Sequence, residues 1–162
     1  MAISTVVKTK RDGTLTFQDG SGVPNTLTVE YEAGDFNLSI PGATVVDNLD
    51  RGSMVGSLRY SDDAPMTASF TAYLRDLGDA AYATLEEIIL ASGDVGANWE
   101  STLGPDAEVF TLDLQWEIVE PGGLPPHTLQ LERCVVTGSL SEGDPDQISI
   151  SITSYALYPS VS

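Results

Sequence analysis

The sequence predicts a mainly β protein, an antiparallel β-sandwich or barrel with one flanking α-helix. Two observations carry this. Most of the 162 residues fall into short runs in which apolar and polar residues alternate, each closed by Gly, Pro, Asp or Asn. One stretch alone, Leu77–Gly93, spaces Ala81, Leu85, Ile88 and Ile89 as a helical stripe. Such a stripe must cover an apolar surface, and here only sheet can supply one. Asp79 is placed as its N-cap, Gly93 as its left-handed C-terminal cap, and Glu86 and Glu87 face away.

The strands follow in order. Residues 3–11, rich in β-branched side chains, are expected to form a hairpin through Asp12-Gly13 with a strand carrying Leu15 and Phe17 on one face. Asp19–Pro24 reads as a flexible turn. Residues 25–32 put Leu27, Val29 and Tyr31 on one side and Thr28, Glu30 and Glu32 on the other. A short strand ends at Pro41. Residues 42–64 form a long loop or projecting hairpin, with a strand through Val55–Tyr60; loops of this length tend to be functional. Met66–Arg75 alternates again, with Met66, Ala68, Phe70, Ala72 and Leu74 together.

Beyond the helix, Asp94–Pro105 is a connector. Residues 109–119 make the longest clear strand, with Phe110, Leu112, Leu114, Trp116 and Ile118 opposite Thr111, Asp113, Gln115 and Glu117. The PGGLPP loop holds His127 at its end. Residues 128–140 and 147–158 supply the last two strands, the second with Ile148, Ile150 and Ile152 on one face and Ser149, Ser151 and Thr153 on the other. No repeat or linker divides the chain, so residues 1–162 are expected to form one domain.

Charge and composition narrow the function. The chain carries 24 acids against 7 bases, a net charge of −17. A surface of that sign repels phosphates and anionic membranes. No membrane span and no secretory leader are expected. Cys134, the one cysteine, sits in a strand-like run and is expected in the core. The chain has no P-loop and no GxSxG elbow. The one histidine, His127, has no partner pattern around it, and the oxygen-rich DNLD (47–50) and GDPD (143–146) segments match turns rather than a calcium loop. No enzyme activity, cofactor or metal site is expected. Lys8, Lys10 and Arg11 are the one close group of bases, and an acidic patch on a second copy is their natural partner.

Three stretches carry a resemblance. DGTLTFQDGSGVPNTLTVEYEAGDFNLSIP (12–41), DDAPMTASFTAYL (62–74) and LERCVVTGSLSEGDPDQISISITSYAL (131–157) resemble the major tail tube proteins of long-tailed, siphovirus-type bacteriophages. The likeness covers most of the chain but rests on turn-and-strand patterns, and residues 42–61 and the PGGLPP loop carry little of it.

The resemblance implies a tail-tube-like fold assembling into hexameric rings, stacked into a tube that conducts DNA without binding it specifically. A ring of six would carry a formal charge of roughly −100. The implied partners are further copies of the chain and the tail tip, tape-measure and terminator proteins of the same phage. The implied location is the virion tail, assembled in the host cytoplasm. Glu30, Glu32, Asp113, Gln115 and Glu117 are the candidates for the lumen. Lys8, Lys10, Arg11, Asp47, Asp50 and Arg51 are the candidates for contacts between subunits. Two alternatives stay open: another phage structural protein, such as a tail terminator or head decoration, and a carbohydrate-binding or adhesin β-sandwich.

Overall fold

A computed structural model describes residues 13–29, 35–42, 45–48, 57–60, 64–73, 83–118, 126–143, 146–156 and 159–161, with backbone only for 45–48 and 57–60. Its strands are β1 (Gly13–Gln18), β2 (Thr26–Val29), β3 (Asn37–Ser39), β4 (Val45–Asn48), β5 (Ser57–Tyr60), β6 (Met66–Tyr73), β7 (Leu112–Ile118), β8 (His127–Ser141), β9 (Gln147–Ser154) and β10 (Ser160–Val161). Two short helices, α1 (Leu85–Leu90) and α2 (Gly93–Asn98), lie between β6 and β7. The main sheet runs β2-β1-β7-β8-β9-β6-β3, antiparallel throughout, with β10 paired to β8. β4 and β5 form a separate two-stranded ribbon, Val45 opposite Tyr60, within the expected 42–64 hairpin region.

The alternation read from the sequence sets the inner face. Leu15 and Phe17, Met66, Ala68, Phe70 and Ala72, and Ile148, Ile150 and Ile152 are all buried. Cross-strand register stacks them on the same side: Phe17 opposite Leu114, Phe70 opposite Ile150, Ala68 opposite Ile152. In the sheet, β1 and β6 stand four strands apart, about 19 Å if the sheet were flat. Yet the rings of Phe17 and Phe70 lie 6.4 Å apart, and Phe36, just before β3, meets Trp116 of β7 at 4.9 Å. The sheet therefore curls over its own apolar face, with β2-β1-β7 as one layer and β9-β6-β3 as the other.

β8 is the corner. Its first half, His127–Leu131, pairs with β7; its second half, Cys134–Ser141, pairs with β9. Between them Glu132 and Arg133 bulge: Leu112 and Leu114 of β7 face Cys134 and Leu131, one residue too many on β8. Arg133 takes a left-handed φ of 54°, which costs a side-chain-bearing residue some energy. Both flanks compensate. Asp113 Oδ1 accepts the Arg133 N–H at 3.0 Å, Ser154 Oγ donates to the Glu132 carbonyl at 2.7 Å, and Tyr155 N donates to the Arg133 carbonyl.

Several expectations change here. The helix over 77–93 is not continuous: Ala83 and Thr84 are non-helical, and Thr84 caps α1 in a reciprocal box with Glu87. Asp79 lies outside the described residues. The left-handed C-cap is Ala91, not Gly93, which opens α2 at a φ of 60°. Glu87 does not simply face solvent, since its Oε1 also accepts the Asp94 N–H of α2. The strand expected over 109–119 begins only at Leu112, because Ser101 Oγ captures the Thr111 N–H before a ladder can. The longest described strand is β8, with 15 residues, and His127 is its first residue rather than a loop residue. β1 has β2 and β7 as its neighbours; the hairpin expected from residues 3–11 lies outside the described residues. The expected short tail pairs in part, as β10.

α1 sits against the inner face where β7 and β8 diverge. Ile88 is buried, and Ile89 rests over Gly138, where a Cβ would meet the Ile89 Cδ1 at 2.5 Å. Cys134 is fully buried beside them, as expected, and burial above all pushes its thiol up to about 12, so it is no thiolate near neutrality. A recess of about 60 Å³ remains among Ile88, Phe110, Leu112 and Val136, far below the several hundred Å³ that a small-molecule ligand needs.

Candidate functional site

Curling leaves two outward faces and one rigid end. The first face belongs to β3, β6, β9 and the second half of β8. Its rows run straight across: Thr137, Ser151, Ser69 and Asn37 in one, Ser139, Ser149 and Thr71 in the next. Thr137, Ser151, Ser69 and Asn37 are all exposed. Among the described residues no strand position on this face carries a charge. Charge enters only at the rim, where Asp35 accepts the Thr71 N–H and so lengthens the short β3 ladder.

The second face belongs to β2, β1, β7 and the first half of β8. Thr16 stands opposite Thr28 and Gln115, and Gln115 opposite Gln130. Acids enter here on β7. Glu117 is exposed between Thr14 and Thr128, while Asp113 is half-buried, holding the Arg133 bulge and accepting from Gln130 Nε2 at 3.3 Å. The structure thus brings three of the five lumen candidates, Asp113, Gln115 and Glu117, onto one strand face, and gives Asp113 a local structural task besides. Glu30 and Glu32 lie outside the described residues, as do Lys8, Lys10, Arg11, Asp50 and Arg51. Asp47 lies on β4 opposite Leu58.

The rigid end departs from expectation. Asp19–Pro24, expected to be flexible, is tied down by a buried carboxylate. Asp19 is 4% exposed. Its oxygens accept from the Asn25 N–H and Nδ2 at 2.8 Å each, the Ser21 Oγ at 2.8 Å and the Glu100 N–H at 3.2 Å. Burial is the largest single influence and raises its pKa, but the hydrogen bonds from Asn25, Ser21 and Glu100 together outweigh it, leaving the carboxyl below its ordinary value. Gly20 completes the joint: a Cβ there would lie 2.6 Å from the Ser101 carbonyl oxygen. The Asp-Gly-Ser signature suggests a turn, but nothing local announces that its partner lies some 80 residues on.

A second knot locks the facing loop. Ser101 Oγ and Thr102 Oγ1 both contact Thr111 Oγ1, at 3.1 and 2.8 Å. Ser101 Oγ also meets the Leu103 N–H and the Val109 carbonyl, each at 3.3 Å, so these backbone atoms are no more than about 6.6 Å apart. Three apolar side chains stand out on these loops: Val23 at 87% exposure, Leu103 at 50% and Val109 at 48%. Glu100, Asp106 and Glu108 on the second loop are exposed as well.

Among the described residues no three His, Cys, Asp or Glu side chains converge on a metal-sized site. No protein-family model matches the chain, and no curated relative matches it by sequence. Solved structures do share its fold. A chain of the PVC sheath/tube terminator, from an extracellular contractile injection system in the extended state, superposes with a TM-score of 0.55 at 10% identity, covering 99% of both chains. A chain of the anti-feeding prophage tube-terminating cap gives 0.55 at 9% identity, over 100% of this chain and 94% of that one. A chain of the six-fold symmetrised anti-feeding prophage baseplate gives 0.56 at 9% identity, over 100% and 97%. At such identity the likeness establishes the fold, and it runs nearly end to end in every case.

Proposed function

We propose that this chain is a ring-forming structural subunit of a phage-tail-type tube, placed at the tube end as a terminator. The observation that carries the reading is the end-to-end likeness of the whole fold to chains from tube-terminating assemblies. The chemistry agrees with it: the outward strand faces carry mainly hydroxyls, amides and acids, and Cys134 is buried. In this reading the β2-β1-β7 face lines the lumen, with Gln115, Glu117 and Asp113, and by sequence Glu30 and Glu32; among its described strand residues none is a cation that would hold passing DNA. The β4–β5 ribbon, with Asp47 and the adjoining Asp50 and Arg51, meets neighbouring subunits. Its partners are copies of itself and the tube, tape-measure and tip proteins of one virion tail.

The second reading, a repeated tail-tube subunit, is favoured by the three stretches that resemble siphovirus-type tube proteins. Assembly separates the two. Purified protein imaged by negative-stain electron microscopy, with its mass from light scattering, should form closed rings of one size that stay short. Long tubes would replace the terminator reading with the tube reading. A chain that stays monomeric at high concentration, and that does not bind tube ends, would contradict both.

A further inference from the structure

The loops at the Asp19 end form a preorganised plate, and the same chain carries its complement. Val23, Leu103 and Val109 stand exposed on two loops that the Asp19 and Ser101 hydrogen bonds tie together. The second of these loops is acidic, with Glu100, Asp106 and Glu108 exposed. An isolated exposed valine or leucine needs no explanation, but three on two interlocked loops, with the loop entropy already removed, make a surface ready to bind. Its occupant must be apolar and basic. In a chain with 7 bases, the densest group of them lies in Ile3–Arg11, ISTVVKTKR, with Val6 and Val7 beside Lys8, Lys10 and Arg11; Arg51–Tyr60, also apolar and free of acids, carries two.

In sequence the two lie on either side of one strand. The segment precedes β1, which opens at Gly13; the plate begins where β1 ends, at Gln18–Asp19. The six residues of β1 span about 17 Å. Resting on the ring-forming reading above, we infer that the Ile3–Arg11 segment of one copy docks on the Val23–Leu103–Val109 plate of the next, a head-to-tail contact. Such a contact either closes a ring or continues as a stack, according to the rotation between copies. It also answers an electrostatic difficulty: copies bearing −17 each must associate through local complementarity.

A paired charge reversal tests this. Variant A carries Glu100→Lys, Asp106→Lys and Glu108→Lys; variant B carries Lys8→Glu, Lys10→Glu and Arg11→Glu. Each alone should raise the concentration for half-assembly by about tenfold or more, read by light scattering. Mixed in equal amounts they should recover wild-type assembly, because each segment then finds a plate of opposite sign. Variant A is diagnostic, since its net charge falls in magnitude from −17 to −11 and bulk repulsion alone would make it assemble better. Assembly of either variant at the wild-type concentration, or a mixture no better than its parts, overturns the inference and leaves the ring reading standing. A wild-type chain that never assembles and does not bind tube ends overturns both. Circular dichroism checks the folds. Should a variant misfold, a synthetic peptide of residues 1–12 tests the same contact: it must inhibit wild-type assembly, less so at high salt, and an inert peptide overturns the inference.

Discussion

The two outward faces share one sheet and one kind of side chain, yet differ in where acids are admitted. On β3, β6, β9 and the second half of β8 every described strand position is neutral, with Ser69, Ser151 and Thr137 in register across three strands. On β2, β1 and β7 the same hydroxyl and amide pattern is interrupted by Asp113 and Glu117. In a chain with 24 acids the first face stands out by excluding them. Like charges brought together across an interface cost several kcal/mol, so a neutral face suits close contact with other acidic chains, and an acid-bearing face suits water or a polyanion in transit. Asp113 adds a second lesson. A carboxylate on a polar face need not be there for charge alone, since this one supplies the acceptor that lets Arg133 bulge and β8 turn the corner.

The contrast between faces disappears altogether if the two layers part. Phe17→Ala removes the ring that meets Phe70 across the core and should cost about 3–5 kcal/mol in chemical denaturation. Next is Asp19→Ala, which leaves the Asn25 and Glu100 donors without their buried acceptor and should cost about 3 kcal/mol at neutral pH. That contribution has a pH signature. The folded-state pKa lies below the ordinary 3.8, so the stabilisation is complete above that value and is lost as pH falls through the folded-state pKa. The stability gap between wild type and Asp19→Asn should therefore narrow on acidification below about pH 4, as urea titrations at several pH values would register.

Asp113→Ala should cost about 1–2 kcal/mol by orphaning the Arg133 N–H, with Asp113→Asn recovering much of it because an amide oxygen still accepts. The smallest effects separate the faces most finely. Ser151→Glu and Glu117→Gln should each change monomer stability by no more than about 0.5 kcal/mol. In assembly they should diverge, Ser151→Glu weakening it and Glu117→Gln leaving it intact, as sedimentation would report.

What is legible in the sequence follows from how local each cause is. Period-two runs report directly which side chains share a face, so Leu15 and Phe17, the Met66–Ala72 set and the isoleucines of β9 are each grouped from sequence alone, and the structure buries all three groups. The helix ends are less plain. Asp79 offers one capping signal, but the Thr84–Glu87 capping box is a stronger one and sets where α1 begins. The start of β7 depends on Ser101, ten residues away, and the rigidity of Asp19–Pro24 depends on Glu100; neither dependence has a local mark. The Arg133 bulge is illegible for the same reason, since its backbone conformation is selected by Asp113 and Ser154 on the neighbouring strands. Of the candidate site, alternation alone groups Asp113, Gln115 and Glu117 on one strand face, whereas the plate at the Asp19 end arises only when distant loops meet.

Whether a ring turns its acid-bearing face inward can be seen in a side-chain-resolution electron cryomicroscopy map of the assembled protein. Closed rings are expected, their hole lined by β1, β2 and β7, with Gln115 and Glu117 projecting into it. A hole lined instead by the Ser69–Ser151–Thr137 face, or an assembly with no hole, would refute that orientation.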